Sequence, residues 1–244
     1  MAPEVLTRTW TFLTAMASST LRSQGQAGDG REKELLQHVL AVAEKNPQSV
    51  LKAIDQYAQR SWLMNIGEDK GLILDQTLSD RKPKSVLEIG AYVGYSAVRI
   101  SSQLDQPGAK VISLEMSAEN ASITRQVVAH AGLSDKVDVV EGILKDKLED
   151  VTRLLHELDC KTFDFVFLDH DKEFYLSDFL ILKEHGLVGK GTVLFADNMK
   201  IPGSPIYREY VMKTHVDDFD TVEHKTRFEY LRWLPDSVVI STCK

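Results

Sequence analysis

Polar side chains gather just past two apolar stretches, Phe163-Asp-Phe-Val-Phe-Leu-Asp169-His170-Asp171-Lys172 and Val193-Leu-Phe-Ala-Asp197-Asn198. Asp169, Asp197 and Asn198 are hard oxygen donors, the kind Mg2+ takes while keeping positions for water and substrate oxygens. Lys172 stands beside them as a candidate base. A second constellation lies upstream, in Glu88-x-Gly90-x-x-x-Gly94. A dinucleotide fingerprint would need a third glycine, and a carboxylate at Glu88 would repel a pyrophosphate. That carboxylate suits a ligand carrying an ammonium group and no phosphate, such as S-adenosylmethionine. Glu115 closes the next apolar run, Val111-Ile-Ser-Leu-Glu-Met116, where a doubly wound fold hydrogen-bonds a ribose diol.

Each piece alone also has an ordinary structural reading. Gly90 and Gly94 suit a turn, Asp169 suits a helix N-cap, and Asp197-Asn198 suits a turn. Lys172 alone reads as a solvated lysine. Two polar clusters at the same depth past two apolar strands, downstream of a glycine turn between two acids, favour a site.

The elements that must position these groups follow from periodicity. Val86, Leu87 and Ile89 form a strand that breaks at Gly90 and restarts at Gly94 as a helix carrying Tyr95, Val98 and Ile100. Such a turn aims free backbone N–H groups at whatever lies beyond the strand. Beyond Glu115 the pattern predicts a helix over 118–131, a strand at 137–140, a helix near 145–158 and a strand at 163–168. A helix around 175–185 and a strand at 192–196 follow. Alternating strands and helices specify a parallel sheet with right-handed crossovers. The segments 219–222 and 237–241 read as a final hairpin, and hence an antiparallel strand. Ahead of the sheet, apolar stripes predict helices over 31–43, from Pro47 onward, and over 70–80. These helices would pack at the sheet edge or over the mouth of the site.

The composition is that of an ordinary α/β domain, 244 residues long, 43% hydrophobic and 27% charged. A net charge of −7 argues against nucleic-acid binding and for small-molecule chemistry. Cys160 and Cys243 show no metal or disulfide spacing, which suggests a reducing, cytoplasmic setting. Residues 1–30 are rich in small and polar types and read as an N-terminal extension, either a flexible arm or a targeting or weakly anchoring segment. The single catalytic domain is expected over 31–244. No stretch is apolar enough for stable membrane insertion, and with no dimerisation stripe a monomer is expected.

The segments VLEIGAYVGYSAVRI, FLDHxK at 167–172, ADN at 196–198, WLMNIG at 62–67 and FEYL at 228–231 together resemble the catechol O-methyltransferase family. The likeness runs from about Arg31 to Leu234 with the motifs in order. It implies a Rossmann-like class I methyltransferase fold, with a mostly parallel seven-stranded sheet, one antiparallel strand at its C-terminal end and helices on both faces. It also implies that Mg2+ is held by Asp169, Asp197 and Asn198, that Lys172 is the base, and that Glu229 bonds the hydroxyl that is not methylated. Glu115 would hold the ribose, while Glu88, Ser96, Tyr95, Ile66, Met64, Gly90 and Tyr92 line the methionine end. Met116, His170 and Ile143 would flank adenine beside Asp169. Trp62, Ile201 and Pro202 would wall the ring of a small-molecule catechol, with Asn198 and Lys172 at its hydroxyls.

Two departures touch the adenine side. Asp171 stands where relatives often carry Trp, and Leu144-Lys145 stands where they carry Ser-Gln. Other readings stay open: a Mg2+-dependent O-methyltransferase for another vicinal diphenol, of the caffeoyl-CoA kind, and a non-catalytic S-adenosylmethionine-binding protein. The joint presence of Asp169, Lys172, Asp197, Asn198 and Glu229 favours an enzyme.

Overall fold

Strand β1 (Ser85–Ile89) is buried at every residue, as a mostly apolar run flanked on both faces must be. A computed structural model describes residues 3–17, 27 and 29–244. Around β1 it assembles β2 (Lys110–Glu115), β3 (Val137–Glu141), β4 (Phe165–Leu168), β5 (Val193–Ala196), β6 (Phe219–Arg227) and β7 (Pro235–Cys243). The sheet order is β3-β2-β1-β4-β5-β7-β6. The first five strands pair in parallel, and β7 enters antiparallel between β5 and β6. The expected mixed sheet is therefore present.

Alternation along each strand feeds two cores. Val86, Val111, Phe165, Phe167, Val193 and Phe195 face one side. They pack there against α2 (Arg31–Val42), α3 (Pro47–Ala58), α4 (Gly67–Arg81), α5 (Tyr95–Gln103) and α6 (Ala118–His130). Leu87, Ile89, Ile112, Leu114, Val166, Leu168 and Leu194 face the other side. There they meet α7 (Leu144–Glu157), α8 (Tyr175–Glu184), and Tyr207 of α9 (Pro205–Glu209) with Val211 just after it. Sequence spacing did not anticipate α9 or the turn of π-helix that follows it, Tyr210–Thr214.

The stretch read as an extension contributes α1 (Pro3–Ala17). Its inner face sets Phe12 and Ala15 into a third cluster with Ala27, Trp62, Phe228 and Leu231. Residues 18–26 and 28 fall outside the described residues. Among the described residues no helix is long and apolar enough to cross a membrane.

Candidate functional site

The carboxyl ends of β2, β1, β4 and β5 lie level, because their ladders continue one residue past each strand. The N–H groups of Gly90 and Ala91 both donate to Leu114 O, Asp169 N donates to Ile89 O at 3.0 Å, and Asp197 N donates to Leu168 O at 3.0 Å. Leu168 and Ala196 are register partners, so Asp169 and Asp197 follow paired residues on neighbouring strands. The two acids thus start about 5 Å apart in backbone terms. The glycine turn touches the same corner: a Cβ at Gly90 would stand 2.6 Å from Asp169 O and 2.9 Å from His170 N. Only glycine tolerates that approach, and its φ of +100° needs glycine as well.

Glu88 is fully buried, and the Ser113 hydroxyl donates to its Oε2. Its Oε1 is a buried atom without a hydrogen-bond partner. Burial pushes this carboxyl up to about 7, with the Ser113 and Ser96 hydroxyls pulling the other way. Glu115 Oε2 accepts from Tyr92 N at 2.7 Å and its Oε1 from Ser117 N at 2.9 Å, which fixes the turn that follows β1. Burial raises it to about 7, with the backbone of Ser117 and Tyr92, the Asn120 side chain and the Ala91 backbone pulling the other way. Tyr92 holds a left-handed φ of +50° and donates its hydroxyl to Glu32 Oε1 at 2.8 Å.

On the acceptor side, Lys172 Nζ lies 2.9 Å from Asp169 Oδ1 and donates to the Tyr175 hydroxyl at 2.8 Å. Tyr175 in turn donates to Leu168 O at 2.7 Å and lies 3.1 Å from Asp197 O, stapling the two strand ends. Lys70, a residue that motif reading passed over, is the hub behind them. Its ammonium lies 2.7 Å from Asp197 Oδ1, 2.6 Å from Glu229 Oε2 and 3.2 Å from Asp236 Oδ2. Burial alone would lower the lysine, but the three carboxylates outweigh it and hold the ammonium charged. One cation cannot satisfy three buried anions, so Glu229 is pushed upward by burial and by Asp197, with Lys70 opposing. Asp169 is raised too, by burial first and by Asp197, against Lys172.

The donor chemistry fits a hard divalent ion. Four carboxylates (Asp169, Asp197, Glu229, Asp236) face two ammoniums (Lys70, Lys172), an excess of two negative charges. Asn198 Nδ2 donates to Glu229 Oε2 at 3.2 Å and to Asp236 Oδ2 at 3.0 Å, which turns its carbonyl oxygen away from those acids. Among the described residues no group of three or more His, Cys, Asp and Glu side chains is arranged as a metal site. The set expected from sequence has two acids and an amide.

The remaining expected residues divide. Ser96 is buried beside Glu88, Ile66 is buried in the first core, and Met64 packs against two cores. Met116 and Ile143 are about half exposed, at the ends of β2 and β3, brought together by Gly142 N donating to Glu115 O at 2.8 Å. The Tyr95 side chain turns away from the glycine turn, its hydroxyl donating to Asp55 Oδ2 at 3.1 Å and receiving Arg99. His170 lies against Tyr175, 5.0 Å between ring centroids at a 35° tilt, with Nε2 3.2 Å from Asp178 Oδ2 but outside hydrogen-bonding geometry. Trp62 is 2% exposed, lying parallel to Phe228 at 6.1 Å, with Ile201 against the same cluster and Pro202 exposed. Asp171 is exposed and caps its own turn by accepting from Glu173 N at 3.2 Å.

A family profile described as O-methyltransferase matches residues 43–225. Catechol O-methyltransferase of Mus musculus is 42% identical over 207 residues, covering 84% of this chain and 76% of that one. The enzyme of the same name from Bos taurus is 48% identical over 187 residues, 75% of this chain and 67% of the relative. A probable O-methyltransferase of Mycobacterium tuberculosis is 40% identical over 224 residues, 91% and 95% of the two chains. In fold, the chain is like a solved O-methyltransferase of Bacillus cereus in complex with SAH. That likeness has a TM-score of 0.64 at 20% identity, over 96% of this chain and all of the other.

Proposed function

We propose an acceptor and a division of labour for this chain, which belongs to the O-methyltransferase family: it methylates one hydroxyl of a catechol, with S-adenosylmethionine as donor and Mg2+ as the metal. The observation that carries this reading is the contact between Gly90 and the Asp169 backbone, which sets the donor turn directly against the acidic loop. When bound, the donor supplies an electrophilic methyl, and a divalent ion supplies charge that favours the ionised acceptor oxygen.

The chain's own residues do the rest. Glu88, with Oε1 buried and unpartnered, is suited to the donor's ammonium. Each Glu115 oxygen accepts one backbone N–H, and a carboxylate's further lone pairs suit a ribose diol alongside the Asn120 side chain. Asp169, Asp197 and the Asn198 carbonyl would hold the metal. Lys172, in its neutral amine form, takes the acceptor's proton at Nζ, which Asp169 and Tyr175 hold in place. Glu229, anchored by Lys70, accepts from the hydroxyl that is not methylated. Much of the acceleration comes from fixing two reactants in line.

The test is a methyl-transfer assay on a panel of catechols with and without EDTA. Monomethylated product that requires a divalent ion is expected. Absence of product, or a rate indifferent to EDTA, would overturn the reading.

A further inference from the structure

The acceptor side is covered by a segment that the motifs do not include. Phe12 of α1 meets Trp62 edge-on at 5.0 Å and 77°, and Phe228 edge-on at 5.5 Å and 68°. Phe228 directly precedes Glu229, and Trp62 lies parallel to Phe228 at 6.1 Å, so the two rings form one broad apolar surface leading from that carboxylate. Polar contacts fix the docking. Trp62 N donates to Thr11 Oγ1 at 3.0 Å, and Arg31, only 2% exposed, donates to Trp62 O at 2.6 Å and to Thr11 O at 3.1 Å. A buried guanidinium joining the helix to the Trp62 backbone is a specific attachment. The opposite face of α1, with Leu6, Trp10 and Leu13, stays exposed.

We infer that Phe12 is a specificity-determining residue, roofing the Trp62–Phe228 wall and limiting the bulk an aromatic acceptor can carry. The inference rests on the catechol reading. A diphenol whose hydroxyls reach Asn198 and Glu229 directs its ring toward Trp62 and Phe228, the surfaces Phe12 covers. A substituent extending from that ring meets Phe12 first. Arg31 and Thr11 are positioning residues that hold the roof at its height.

The full chain, Phe12→Ala and Trp10→Ala are assayed with unsubstituted catechol and with 4-tert-butylcatechol. Phe12→Ala should raise the kcat/KM ratio of the bulky over the small acceptor by about tenfold, the scale on which apolar pockets discriminate size. Trp10→Ala, on the outer face, should leave that ratio unchanged. A ratio unmoved by Phe12→Ala overturns the proposal.

A second measurement reads the roof without turnover. The chain has three tryptophans, so a Trp10→Phe, Trp233→Phe background isolates Trp62. Adding Phe12→Ala should make Trp62 several-fold more accessible to acrylamide quenching, and an unchanged quenching constant overturns the roof. If the wild-type chain methylates neither acceptor, the catechol reading fails and takes the specificity role with it. The quenching result then tells that failure apart from a misplaced α1.

Discussion

Lys70 places its ammonium 2.7 Å from Asp197 Oδ1, with 1% of either side chain exposed. The same ammonium also reaches Glu229 and Asp236. Removing it leaves buried anions with no cation, a loss of about 3–5 kcal/mol when a buried pair is broken from one side. Lys70→Met is therefore expected to unfold at markedly lower denaturant. Asp236→Asn in the same chain should recover part of the loss. Equal stability of Lys70→Met and wild type in urea titrations would remove Lys70 from the site's support.

Glu88 makes donor binding depend on pH. Its folded value of about 7 lies above its ordinary 4.5, so the folded chain binds a proton that the unfolded chain has released between those values. Ligand-free stability is then greatest at the low end of that window and falls as pH rises through it, by at most about 3 kcal/mol for this group. Glu115 adds a second contribution of the same sign. Glu229 and Asp169, also raised by burial, contribute with the same sign, so in Glu88→Gln the slope should fall by about a quarter, read as unfolding free energy at pH 5 and 7. Affinity for S-adenosylmethionine should rise toward pH 7 in the wild type, as Glu88 ionises, and lose much of that rise in Glu88→Gln. Calorimetric titration checks it.

Gly90→Ala should abolish donor binding before it abolishes folding. The added methyl would stand 2.6 Å from the Asp169 carbonyl oxygen, at a φ of +100°. Backbone on both sides must shift, displacing the turn against the acidic loop. Titration of donor into a variant that still melts cooperatively separates the two effects, and wild-type affinity would refute the close-approach argument.

Lys172→Ala is expected to lower kcat by about 100-fold or more, the range for loss of a general base, while leaving donor affinity near wild type. Nζ touches Asp169 and Tyr175 rather than the glycine turn. Unchanged turnover would assign the proton to another group.

Much of this was legible in the residues. The strands around Val86, Ile112 and Val166 are local apolar runs, and the residues following β4 and β5 converge because adjacent parallel strands end level. The Lys70 hub was not legible, because its partners lie 127, 159 and 166 residues away and no periodicity encodes them. Trp62 was expected as part of the wall around the acceptor ring, and nothing in the sequence placed another residue over it. It is covered because Phe12, in a segment of unremarkable composition, finds two aromatic faces to pack on. The hairpin was read short at both strands, since β6 alternates exposed polar residues that carry little apolar signal.

β7 supplies Asp236 and pairs on both sides, with β5 and with β6, although it is the last strand in the sequence. During synthesis the earlier strands emerge with the β5 edge still bare, and the carboxylate cluster waits for a strand made after the other six. A nascent chain stopped before Pro235 would carry the donor turn and Asp169, Lys172, Asp197, Asn198 and Glu229, but it would lack Asp236, the third carboxylate on Lys70, and the strand that covers the β5 edge.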